Sequence, residues 1–181
     1  MDTLQRLQLS QATQQIPEAR KILDIGCGRG AFVRQVAQVF SQAQLTGMDI
    51  SEKSITHART RPHDRIHYRV ASVEDMPFED ESYDLIFACR TFHHWINKQK
   101  GLQEIARILS SDGLFILGDG FAQGLLERPW VRRIAEALDG GSVVTIPQWQ
   151  QMLQMARLEP TDSIDLPRTG GTLSIYTMTK L

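Results

Sequence analysis

The chain should fold as an α/β protein whose mostly parallel, doubly wound sheet ends in an antiparallel hairpin. Three observations predict it. Strand-like and helix-like stretches alternate from Lys21 to Gly118, and the first strand runs straight into a glycine-rich turn and a helix. The last two strand-like stretches then lie too close together in the chain for a parallel crossover between them. At 181 residues the chain suits one domain spanning 1–181.

Each element has its own local signal. Lys21–Ile25 is a short apolar run that ends in glycine, the first strand, and Gly26, Gly28 and Gly30 then fall within five positions. Ala31–Phe40 reads as a helix with Phe32, Val33, Val36, Val39 and Phe40 on one side. Gln44–Asp49 is the second strand, and Ser51 with Glu52 opens a helix through about Arg59. Arg65–Val70 is the third strand. Tyr83–Cys89 is the fourth, a nearly continuous apolar run of the kind buried on both faces. Lys98–Leu109 is helical and Gly113–Gly118 is the fifth strand. Beyond it come two amphipathic helices, Pro129–Leu138 and Gln148–Ala156. Two alternating strands follow, Glu159–Leu166 and Thr172–Lys180, joined by the turn-rich Pro167–Gly171. Residues 1–20 are glutamine-rich and polar, and read as a short extension ahead of the fold.

Composition narrows the function. A net charge of −1 and a pI near 6.5 give no electrostatic footprint for nucleic acid or an anionic membrane, so neither is expected as a partner. Two cysteines far apart, Cys27 and Cys89, are too few for a disulfide framework or a structural zinc site. There is no signal-peptide core and no apolar run long enough to span a bilayer, so the expectation is a soluble, cytoplasmic protein. Oligomeric state is not legible.

The chemistry concentrates at the glycine turn. A strand leading into a glycine loop and a helix N-terminus makes an anion-friendly corner where a ligand approaches the main chain closely. Gly26-x-Gly28-x-x-Ala31 fits the dinucleotide fingerprint, with Asp49 as the acid for a ribose. Asp24, however, would repel a pyrophosphate at that corner and welcome an ammonium group. A ligand with an amino acid end and a ribose end meets both demands, and S-adenosylmethionine is such a ligand.

The stretch ILDIGCGRG resembles motif I of the class I S-adenosylmethionine-dependent methyltransferases, an apolar run followed by D-x-G-x-G-x-G. The resemblance continues in order through LTGMDIS, ASVEDMPFEDESYDLIFA and ILSSDGLFILGD, covering about Lys21 to Asp119. It is nearest the small-molecule branch that includes the ubiquinone and menaquinone biosynthesis methyltransferases. It implies a Rossmann-like, seven-stranded sheet with its final strand antiparallel beside the fifth, and methyl transfer from S-adenosyl-L-methionine to a small-molecule substrate. It also implies that Asp24, Gly26, Cys27 and Gly28 hold the amino acid end, that Asp49 takes the ribose diol, and that Ile50 faces the adenine. Ser72 stands where the family usually has an aspartate toward the adenine amino group, and Val73 offers its backbone N–H. Arg90 is placed near the carboxylate end of the cofactor.

Catalytic candidates follow the fourth strand in ACRTFHHW. His94 or His93 is a candidate general base, which a transfer to oxygen would need. Adjacent side chains diverge in ordered backbone, so at most one is expected to face the substrate, His94 slightly favoured over its neighbour. The alternative is that one is packed and the other caps the following helix. No metal is expected, because His63 and His67 straddle the start of a strand and lack a third ligand. Glu74 and Asp75 read as a solvated loop. Residues 121–148 are the candidate substrate lid, with Phe121, Trp130 and Trp149 as covers or as core. Three other function classes stay open: a non-catalytic binding module with the same corner; an NAD-dependent oxidoreductase, against which Asp24 and the hairpin argue; and a nucleic-acid methyltransferase. A nucleic-acid methyltransferase lacks its amine-methylation motif, since CRTF stands after the fourth strand.

Overall fold

The computed structural model describes residues 1–122, 124–168 and 171–181. Seven strands form one sheet: β1 (Lys21–Ile25), β2 (Gln44–Asp49), β3 (Ile66–Val70), β4 (Tyr83–Cys89), β5 (Leu109–Phe121), β6 (Leu158–Arg168) and β7 (Gly171–Lys180). Their order across the sheet is β3-β2-β1-β4-β5-β7-β6. The first five are parallel, and β7 runs antiparallel to both β5 and β6. The chain leaves β1 in one direction to build β2 and β3, then returns to place β4 on its other side. That reversal opens a crevice beyond the carboxyl ends of β1 and β4.

Alternation along each strand sorts side chains to two faces. Leu23, Ile25, Ile86, Ala88, Phe115 and Leu117 bury against α4 (Lys98–Ile108) and α6 (Ile146–Ala156). On the other face, Ile22, Leu85, Phe87, Leu114 and Ile116 bury against α1 (Thr3–Gln15), α2 (Ala31–Val39) and α3 (Glu52–Arg59). Helix α5 (Pro129–Asp139) lies between β5 and α6 in the chain. Among the described residues, no helix is long and apolar enough to cross a membrane.

Residues 1–20 depart from the expectation of an extension, because most of them form α1. Asp2 caps that helix in a capping box with Gln5, and Leu4, Gln8, Leu9 and Ala12 are buried. The buried set includes a glutamine whose Nε2 donates to the carbonyls of Ala88 and Ile116 at 3.0 and 3.1 Å. Polar composition hid this packing face. Strand β5 extends to Phe121 because β7 pairs with it from Phe115 through Phe121. Helix α6 begins at Ile146 because Thr145 and Gln148 form a capping box. Ser51 caps α3 as expected, its side chain accepting from Ser54 N. Residues 169–170, within the expected Pro167–Gly171 turn, lie outside the described residues.

Candidate active site

The glycine loop is built by hydrogen bonds to β2. Gly26 N and Cys27 N donate to the Met48 carbonyl at 2.7 and 2.9 Å. Gly28 N donates to Asp49 Oδ2 at 2.8 Å, while Asp49 Oδ1 accepts from Ser51 N at 2.8 Å. Two positions require glycine for different reasons. Gly26 has φ +70°, and a Cβ there would stand 2.5 Å from Thr91 Oγ1. Gly28 has φ +55°, but a Cβ would meet nothing within 4 Å. The tight approach at Gly26 is therefore to the segment after β4.

Asp24 sits one residue before the end of β1, 3% exposed. Among the described residues, its Oδ2 is buried without a hydrogen-bond partner. Burial, and then the charge of neighbouring Asp49, pushes its pKa up to about 8. A buried carboxylate oxygen left unpaired is costly, and a cation supplied from outside would relieve it. Next to it the Cys27 thiol is pushed well above its ordinary pKa by burial and by Asp24 and Asp49, so it supplies no thiolate.

A cavity of about 380 Å³ opens at the crevice, and its walls include Gly26, Asp49, Ile50, Ser72, Val73, Arg90 and His94. These seven expected residues thus come together from the ends of four strands. Asp24, Cys27, Gly28 and His93 are not part of its walls. Ile50 is 71% exposed, an apolar plate with no protein neighbour covering it. Ser72 bridges Asp75, and its Oγ accepts from Glu74 N at 3.2 Å. Glu74 does not pair with Asp75 in a two-carboxylate site; its Oε1 accepts from Asn97 N at 2.7 Å. Arg90 holds a left-handed backbone with φ +52° and pairs its guanidinium with Asp2.

The two histidines overturn the expectation of divergence. Phe92–His94 forms a 3-10 turn that brings the two rings to 3.9 Å between centroids. His94 is exposed and lines the cavity, whereas His93 is anchored. His93 Nδ1 lies 2.7 Å from Asp119 Oδ1, and His93 N donates to Asp119 Oδ2 at 3.3 Å. Neither ring caps α4, whose cap is Asn97. Asp119, near the end of β5 and 2% exposed, was not singled out from the sequence. Its signal was available: like Asp24, it is a carboxylate closing an apolar strand. Phe121 and Trp149 are core, buried with Phe92 in one aromatic cluster that the partly buried Tyr176 joins, while Trp130 is 63% exposed. Among the described residues, no three His, Cys, Asp or Glu side chains are placed to hold a metal ion.

Residues 23–117 match the family described as methyltransferase domain. The chain is 30% identical over 156 residues to a 27-O-demethylrifamycin SV methyltransferase of Amycolatopsis mediterranei (strain S699), covering 81% of this chain and 56% of that protein. It is 28% identical over 155 residues to an O-methyltransferase of Penicillium expansum, covering 82% and 55% respectively. The chain thus spans about half the length of the curated relatives it matches. A solved geranyl diphosphate C-methyltransferase from Streptomyces coelicolor A3(2), in complex with Mg²⁺, geranyl diphosphate and S-adenosyl-L-homocysteine, superposes with a TM-score of 0.83. That match has 15% identity and covers 97% of this chain and 79% of the other.

Proposed function

The chain belongs to the methyltransferase domain family, and from that premise we propose that it binds S-adenosyl-L-methionine and transfers its methyl group to a small molecule. One observation carries the reading: the buried Asp24 carboxylate, with an unpaired oxygen, lies beside a glycine loop tied to Asp49. That pair of acceptors suits a ligand with an ammonium at one end and a ribose at the other, and it does not suit a pyrophosphate. Asp24 with the Gly26–Gly28 backbone would take the amino acid end. Asp49 would accept from the ribose hydroxyls, and Ile50 and Val73 would flank the adenine. Ser72, lacking the charge of a carboxylate, would make a weaker contact there.

When bound, the sulfonium supplies an already activated methyl group, so the chain's residues have only to position an acceptor and take its proton. The proton acceptor in this reading is His93. Asp119 Oδ1, 2.7 Å from Nδ1, fixes the orientation of the ring. A base oriented by a third group is the arrangement of nucleophile-activating pairs generally. His94, slightly favoured from the sequence, becomes a wall of the cofactor cavity beside it. The cover over the acceptor is assigned to α5 with Trp130, because Phe121 and Trp149 are committed to the core. A cytoplasmic protein acting without nucleic acid completes the reading, in keeping with its net charge of −1.

Calorimetry with S-adenosylmethionine, S-adenosylhomocysteine and NAD tests it. Binding of the first two and not the third is expected; binding of NAD alone would overturn it.

A further inference from the structure

An α-amino acid carries its ammonium and its carboxylate on one carbon. A pocket that neutralises the first at Asp24 therefore needs a donor for the second close by. Among the described residues lining the cavity, Arg90 is the only lysine or arginine. Arg90 follows the end of β4, which pairs with β1 at Asp24↔Phe87 and Ile25↔Ala88, and Asp2 reaches it from the head of α1. The left-handed backbone of Arg90 is held by its N–H, which donates to the Gly118 carbonyl at 2.8 Å. A non-glycine residue keeps such a conformation only where its surroundings over-determine it, and such positions cluster at ligand clamps.

The guanidinium of Arg90 is already engaged with a carboxylate, that of Asp2 at the head of α1. The two oxygens of Asp2 divide their tasks. Oδ1 accepts from Gln5 N at 3.0 Å and caps the helix, while Oδ2 takes Arg90. Losing Arg90 therefore leaves the cap in place. The Arg90 and Asp2 side chains are 54% and 35% exposed, so the pair exchanges against water at small cost.

We propose that Asp2 is a resident competitor for the carboxylate of the cofactor. It holds Arg90 at the cavity mouth and gives way to the α-carboxylate as the ligand enters. The inference rests on the methyl-donor reading above. Its consequence is a site whose grip on carboxylate-bearing donor and product is weaker than Arg90 alone would make it. The first turn of α1 is also untied from the end of β4 whenever the site is filled.

The test is a pair of ligands on the full chain. S-adenosylhomocysteine carries the amino acid, and 5′-methylthioadenosine is the same nucleoside thioether without it. Asp2→Asn removes the charge while keeping a good N-cap. It should tighten S-adenosylhomocysteine by about two- to fivefold, the scale of an exposed ion pair, more at low salt than at high. It should leave 5′-methylthioadenosine unchanged. Arg90→Gln should weaken S-adenosylhomocysteine and abolish the effect of adding Asp2→Asn. Unchanged or weaker S-adenosylhomocysteine binding in a folded Asp2→Asn chain would overturn the proposal. So would equal tightening of both ligands, which would place the effect in helix packing over the nucleoside. If wild type binds neither ligand, the methyl-donor reading itself fails and the competitor role falls with it.

Discussion

Replacing Asp24 with asparagine probes the site and the fold in one variant. Burial, and then the charge of Asp49, raises the Asp24 pKa from 3.8 to about 8. The folded state thus keeps a proton that the unfolded chain has released. The stability contributed by that proton is complete below about pH 4 and is lost as pH rises toward 8. The slope is about 1.4 kcal/mol per pH unit for one proton. Asparagine has the same shape and does not titrate, so the Asp24→Asn chain lacks this slope. Between pH 5 and 8 the variant should gain on wild type by about 4 kcal/mol, or on the order of 10 °C in melting temperature for a chain of this length. A constant offset from the new amide does not disturb the comparison, which reads the change with pH. Binding supplies the second arm. A ligand ammonium needs Asp24 ionised, so cofactor binding at pH 6 to 7 should release close to one proton. Affinity should rise roughly tenfold over that unit and flatten above pH 8. Thermal melts across pH 5–8, and calorimetry in buffers of different ionisation enthalpy, measure the two arms. Parallel melting curves for wild type and variant, with no proton released on binding, would refute the reasoning.

Three further outcomes follow from the same geometry. With an acceptor in hand, His93→Gln and Asp119→Asn should each slow methyl transfer by about a hundredfold to ten-thousandfold, with S-adenosylhomocysteine affinity unmoved; full turnover by both variants would remove the base. Gln8→Leu should cost about 1–3 kcal/mol in urea unfolding, because the Ala88 and Ile116 carbonyls lose their buried donor; an unchanged midpoint would detach α1 from the fold's stability. Gly26→Ala should destabilise the chain more than Gly28→Ala. Both incur the left-handed backbone penalty of about 1–2 kcal/mol, but only the first forces a Cβ against Thr91; equal losses would rule out that contact as the constraint.

Much of this protein was legible in one dimension because its signals are local. The strands up to β4 are apolar runs bounded by turn residues, and their limits were read nearly to the residue. The glycine loop, Asp24 and Asp49 could be singled out as the proposed ligand corner because backbone freedom and charge are properties of single positions. The hairpin was predictable from the short span between its two strands. What the chain does with residues 1–20 was not, because the packing face of α1 includes Gln8, whose amide is acceptable inside only where two carbonyls from β4 and β5 wait for it. The partnership of His93 with Asp119 was hidden for a related reason. The two residues lie 26 positions apart on neighbouring strand ends, and only the sheet order brings them to 2.7 Å. Arg90 and Asp2, 88 positions apart, meet because α1 packs across β4 and β5. Propensity, periodicity and charge act within a few residues and are written in the sequence. The pairing of distant polar groups is decided by the packing that removes them from water, which exists only once the chain has folded.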